Sequence, residues 1–195
     1  MVILSGSPSD SLLNAVSKSM NVSLVRAEHE GKDVSPAGAV AAAAAALRRA
    51  AGISAPYVLV AADPLAAVAA EWEAMWEITG SPRGTEAFEL RAGEALAAAH
   101  AGQFELPDYY LVLAPDAATP DEPRPNFHLG PLRSVRPNRV AVAAAAEPAE
   151  QAAEVLSALG SLRHGRWWPS LDEIIETARR FYPGSLTDSQ AVIQL

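Results

Sequence analysis

The chain has 195 residues, 50% of them hydrophobic and 19% charged, with a formal net charge of −8 and no cysteine. That length and apolar content suit one domain with a full core, and the lack of cysteine excludes disulfides, thiolate metal sites and cysteine nucleophiles. The acidic balance opposes non-specific binding to nucleic acid or to an anionic membrane surface.

The opening MVILSGSPSD has no basic region and only a very short apolar run, so no signal peptide is expected. The alanine run at 41–46 leads into Arg48 and Arg49, so no membrane span is expected either. The expectation is a cytoplasmic protein, and the preference for alanine and for arginine over lysine is that of a bacterial genome rich in G and C.

In chain order, 2-VIL-4 and 22-VSLVRA-27 read as short strands on either side of a helix over 9–19. A helix is predicted over 36–51, with Ser35 as N-cap, Pro36 at its first position and Gly52 as its stop. Next comes 57-YVLVAA-62, a continuous apolar run of the kind that forms a strand covered on both faces; 109-YYLVLA-114 and 139-RVAVAAA-145 have the same character. Asp63 and Pro64 start a helix over 64–79, in which Trp72, Met75, Trp76 and Thr79 share one face expected to close on the sheet. Further helices are predicted over 85–101, over 148–159 after Glu147 and Pro148, and over 171–181, where Ser170 and Glu173 have capping-box spacing.

Strands alternating with helices predict a three-layer α/β fold around a mostly parallel sheet of about five strands, as one domain over 1–195. A doubly wound arrangement of flavodoxin-like type fits this order. Without the strands at 2–4 and 22–27, the fold reduces to three strands with a helical N-terminal arm.

Three segments are candidates for function. The first is 5-SGSPSDS-11, between the first strand and the first helix, where backbone N–H groups and the hydroxyls of Ser5, Ser7, Ser9 and Ser11 beside Gly6 could hold a phosphate. The stretch 4-LSGSPSDS-11 resembles in character the phosphate loop of flavodoxin-like proteins that bind FMN. It lacks the arginine or lysine common in such loops, and 63-DPLAAV-68 leaves no aromatic loop after the third strand to sandwich a flavin. The competing reading is that these residues only cap a helix.

Asp63 and Asp116 follow strand ends where Mg2+ can be held, but capping and turn roles account for both, and no metal site is expected. His29, His100, His128 and His164 lack zinc-site spacing. No GxSxG, GxxxxGK[ST] or GxGxxG occurs, so no catalytic residue is nominated and the question of an enzyme stays open.

The second candidate is the proline-rich loop over 115–138, whose later half gathers Arg124, His128, Arg133, Arg136 and Arg139 with no carboxylate between 124 and 140. These side chains either pair with the acids of 116–122 and with Glu89, Glu94 or Glu105, or converge on an anion, joined by Arg163, His164 and Arg166. The third is 166-RWWPSLDE-173, where one tryptophan is expected to pin the helix entry and the other, Trp167 if exposed, to anchor a partner.

The favoured expectation is a non-enzymatic adaptor or accessory protein that binds a protein or an anionic small molecule through this Arg-rich loop and Trp-containing turn. The alternative is a flavodoxin-like enzyme or sensor that binds FMN or another phosphate-bearing molecule at 5–11.

Overall fold

The computed structural model describes residues 1–27, 35–77, 82–113, 126–162 and 165–181. Arg124, Asp116, Ala114, Thr79, His29, Arg163 and His164 lie outside them, as do the acids of 116–122.

Five parallel strands form the sheet: β1 (Val2–Ser5), β2 (Val22–Arg26), β3 (Tyr57–Ala61), β4 (Tyr109–Leu113) and β5 (Val140–Ala143). Around it lie α1 (Asp10–Ser17), α2 (Pro36–Ala51), α3 (Ala66–Glu77), α4 (Pro82–His100), the single turn α5 (Arg133–Val135), α6 (Pro148–Ser161) and α7 (Leu171–Arg180). The predicted strands at 2–4 and 22–27 are therefore present.

Side-chain alternation along the strands divides the core in two. Val2, Leu4, Leu59, Leu111 and Leu113 face Leu12, Leu13 and Val16 of α1 and Val155 and Leu159 of α6. Ile3, Val25, Val58, Val60, Tyr110 and Val112 face α2, α3, α4 and α7, with Trp72, Met75, Phe88, Ile174 and Ile175 among their neighbours. This is the expected three-layer α/β architecture. Trp72 and Met75 are buried, and the Trp72 indole N–H donates to the Ala178 carbonyl at 3.0 Å, tying α3 to α7.

The strand order is β2-β3-β1-β4-β5. A flavodoxin-type sheet has β1 and β3 exchanged, so the expected arrangement is corrected here. β1 is the central strand, pairing with β3 (Val2 opposite Leu59) and with β4 (Ser5 opposite Val112), and all four of its residues are buried. Its onward chain leads to α1 on one face, whereas the chain leaving β3 leads to α3 on the other. The crevice where onward connections part is the usual ligand position in an open parallel sheet, and here it lies beyond the carboxyl ends of β1 and β3.

Of the loop expected over 115–138, residues 126–138 are described, and they form a succession of short helical turns. A π-helical turn (His128–Leu132), α5 and a 3-10 turn (Pro137–Arg139) form a strap that leads into β5, anchored by the buried Phe127 and Leu132. Pro131 explains the wide turn: it has no N–H to offer the Phe127 carbonyl, so Leu132 donates instead at 3.1 Å.

Because β1 is central, removing residues 1–11 exposes the ladder groups of both β3 and β4. The truncated chain is expected to show no cooperative thermal transition by circular dichroism, and a truncated chain that melts cooperatively contradicts this topology.

Candidate functional site

Three side chains from distant parts of the sequence meet at the β1/β3 crevice. Ser5 ends β1, Asp63 lies two residues past β3, and His128 opens the π-helical turn. The Ser5 hydroxyl donates to Asp63 Oδ2 at 2.9 Å, and His128 Nε2 lies 2.8 Å from the same oxygen and 3.2 Å from Ser5 Oγ. The other Asp63 oxygen accepts from the Leu65 N–H at 2.9 Å. Ser5 and His128 are buried, and the Asp63 side chain is 5% exposed.

Burial alone would push the Asp63 carboxyl up. The facing His128 charge, its hydrogen bond, the Leu65 N–H and the Ser5 hydroxyl more than offset that and hold the group below its ordinary range. Asp63 thus starts the α3 region, as the sequence indicates, while its second oxygen anchors the buried contact with His128 and Ser5.

The backbone around His128 is fixed as well. Asn126 Oδ1 accepts from the His128 and Leu129 N–H groups at 3.0 Å, and Glu73 Oε1 accepts from the Phe127 N–H at 3.0 Å. Burial pushes the Glu73 carboxyl up against the opposing effects of that N–H and of His128. The Tyr110 ring packs 5.3 Å from the imidazole, and its hydroxyl is buried without a hydrogen-bond partner among the described residues. Burial and then the Asp63 charge push that phenol well above its usual value.

Serine, histidine and aspartate are the residue types of a hydrolytic triad, but their connections differ. Ser5 donates directly to Asp63, and His128 Nε2 faces both Asp63 and Ser5 at 2.8 and 3.2 Å while Nδ1 lies 3.5 Å from Ser5 Oγ, so the three groups form a closed cluster instead of the linear Ser–His–Asp order of a triad.

The rest of the 5–11 loop is open. Gly6 adopts φ +106°, a left-handed conformation, and a Cβ there would meet the Leu113 carbonyl oxygen at 3.0 Å. Ser7 and Ser11 are exposed, and Ser9 caps α1 by accepting from the Leu12 N–H at 3.1 Å. Asp10, in the first turn of α1, pairs with Arg26 at the end of β2 at 2.8 Å.

Two arginines of the strap bond main-chain carbonyls. Arg139 is buried and donates to three main-chain carbonyls: Arg166 at 2.6 Å, Asp108 at 2.7 Å and Gly165 at 2.9 Å. Its guanidinium lies 4.5 Å from the Trp167 ring centroid and 5.4 Å from that of Tyr109. Arg136 donates to the Trp167 carbonyl at 2.6 Å and to that of Val135 at 2.7 Å. Of the acids expected to neutralise them, Glu89 pairs with Arg179 and Glu94 with Arg91, and those of 116–122 lie outside the described residues. Arg133 and Arg166 are exposed.

Trp168 is buried, its indole N–H donating to the Pro107 carbonyl at 2.7 Å, and Trp167 is 51% exposed. Beside them is a groove of about 330 Å³, lined by Phe104, Leu106, Trp167, Trp168, Pro169 and Leu171. It opens at the amino edge of the sheet, opposite the Ser5 cluster. The predicted anion-binding set is thus divided, with His128 at the carboxyl edge and Arg136, Arg139, Arg166 and Trp167 at the amino edge.

Sequence reasoning treated Ser5, Asp63 and His128 as three unrelated features and did not single out Glu73 or Tyr110. The one available signal was that Ser5 and Asp63 both follow strand ends. Among the described residues, no group of three or more His, Asp or Glu side chains could hold a metal ion, and no helix is long and apolar enough to cross a membrane. No family of known proteins, no curated protein and no solved structure matches the chain.

Removing Asp63 leaves Ser5, His128 and the Leu65 N–H without their partner in a buried place, so Asp63→Ala is expected to destabilise the fold by about 2–4 kcal/mol, against about 1 kcal/mol for a lost cap alone. Urea titration measures the difference. Since the folded carboxyl lies below its ordinary 3.8, its stabilisation is complete above that value and is lost as the pH falls through the lowered pKa. Stability measured from pH 6 downward should therefore drop in this acid range, and the drop should be shallower in Asp63→Asn.

Proposed function

We propose that the protein binds a small phosphate-bearing molecule in the crevice beyond β1 and β3. Its anionic group would lie over Gly6, Ser7 and the start of α1, and its polar body would reach toward Ser5, Asp63 and His128. The observation that carries this reading is the buried Ser5–Asp63–His128 cluster at the point where the onward connections part. A buried polar cluster is a weak source of stability compared with apolar packing, so its presence at the usual ligand position favours a binding role. The Gly6 conformation and the first N–H groups of α1 supply the surroundings an anion requires. Asp10 is held by Arg26, which reduces its repulsion of such a group.

Thermal shift and calorimetry with FMN, nucleoside mono-, di- and triphosphates and inorganic phosphate test this reading. At least one is expected to raise the melting temperature, and Gly6→Ala to weaken it about tenfold or more, a difference of about 1.4 kcal/mol. A flat response across the whole panel contradicts the reading.

A protein partner at the amino edge is the second reading, favoured by Trp167. Its ring is half exposed while Arg139 supports its face and Arg136 holds its carbonyl, so it is presented in one orientation beside an apolar groove with Arg166 exposed nearby. Trp167→Ala is expected to abolish capture of a co-purifying partner while the melting temperature falls by only a few degrees, and retention of every partner by that variant removes this reading.

A further inference from the structure

We infer that the strap over residues 126–139 is a mechanical link between the two edges of the sheet, through which the Asp63–His128 pair sets the position of the Trp167 turn. The inference concerns regulation of the two surfaces discussed above, but it rests on the strap's own contacts and not on the identity of a ligand.

At the carboxyl edge the strap is held by His128 on Asp63 at 2.8 Å and by the Phe127 N–H on Glu73 at 3.0 Å. At the amino edge it holds the Trp turn through three donated bonds, from Arg136 to the Trp167 carbonyl and from Arg139 to the Arg166 and Gly165 carbonyls, while Arg139 also donates to the Asp108 carbonyl before β4. The Arg139 guanidinium also supports the Trp167 ring.

The intervening chain has little freedom. Three helical turns of different pitch follow one another, Pro131 and Pro137 fix two backbone dihedrals, and Leu132 is fully buried beneath them. Close-packed segments of this kind pass on a displacement and do not absorb it. The residues at 165–167 are in neither helix nor strand, and their three carbonyls accept from Arg136 and Arg139 of the strap. A shift of His128 therefore has a defined destination. A ligand that competes for Ser5 or Asp63 would release His128 and alter the surface presented by Trp167.

Asp63→Asn and His128→Gln are the perturbations, read by 1H–15N spectra of the four tryptophan indoles and the Arg139 Nε–H. The Trp167 signal is assigned by its loss in Trp167→Phe. In each folded variant the Trp167 and Arg139 signals are expected to move or split, while the Trp72 indole, bonded to Ala178 in α7, keeps its wild-type position. The reciprocal experiment uses Arg139→Lys and reads the His128 ring, which should respond in turn; it serves alone if neither carboxyl-edge variant folds.

Unchanged Trp167 and Arg139 signals, or a His128 ring indifferent to Arg139→Lys, overturn the inference. Movement of all four indoles together overturns it as well, because that reports general loosening of the fold. A flat response to the phosphate panel leaves this link standing, and failure of the link leaves phosphate binding standing.

Discussion

A carboxylate that keeps its charge out of water needs several partners, and Asp63 dictates much of what surrounds it. Isolated in an apolar interior, such a group is costly enough to take up a proton instead. Asp63 avoids this with a hydroxyl from β1, an N–H from the start of its own helix region and the imidazole of His128. Ser5 reaches it because β1 and β3 are neighbours, and His128 reaches it because the strap returns across the sheet after β4. The strand order and the π-helical turn together bring these groups into contact.

The opposite edge solves a different problem with positive charge. Residues 165–167 pass from α6 toward α7 without regular secondary structure, and their carbonyls need donors. Arg139 and Arg136 provide them, with guanidinium geometry that reaches several oxygens at once. This accounts for two of the arginines gathered in an acidic chain: Arg136 and Arg139 satisfy main-chain oxygens, and Arg139 also lies against aromatic faces. Trp168 goes inward to close the core and Trp167 remains on the arginine outside it.

Much of the architecture was legible in the sequence because it is locally encoded. Apolar runs bounded by proline or aspartate gave the strands, and Ser35 and Ser170 cap α2 and α7 by accepting from the Gly38 and Glu173 N–H groups at 3.2 and 3.3 Å. Strand order was not legible, since runs as alike as YVLVA and YYLVL carry no mark of which will lie beside β1. The strap was hidden because a proline-rich stretch reads as extended chain, whereas Pro131 here shapes a wide helical turn. The site was hidden for a third reason. Ser5 and His128 are 123 positions apart, and Asp63 had a sufficient local explanation as a cap that masked its long-range one.

The account depends on Asp63 and His128 acting on each other and not merely sharing a location. A double-mutant cycle measures this directly, comparing the stabilities of Asp63→Asn, His128→Gln, the double variant and the wild type by urea titration. Groups in direct contact show coupling of about 0.5–3 kcal/mol, and a buried pair bonded at 2.8 Å belongs in the upper half of that range. The account predicts a coupling of about 2 kcal/mol or more, with the double variant less destabilised than the sum of the single ones. Strict additivity of the two substitutions would contradict it.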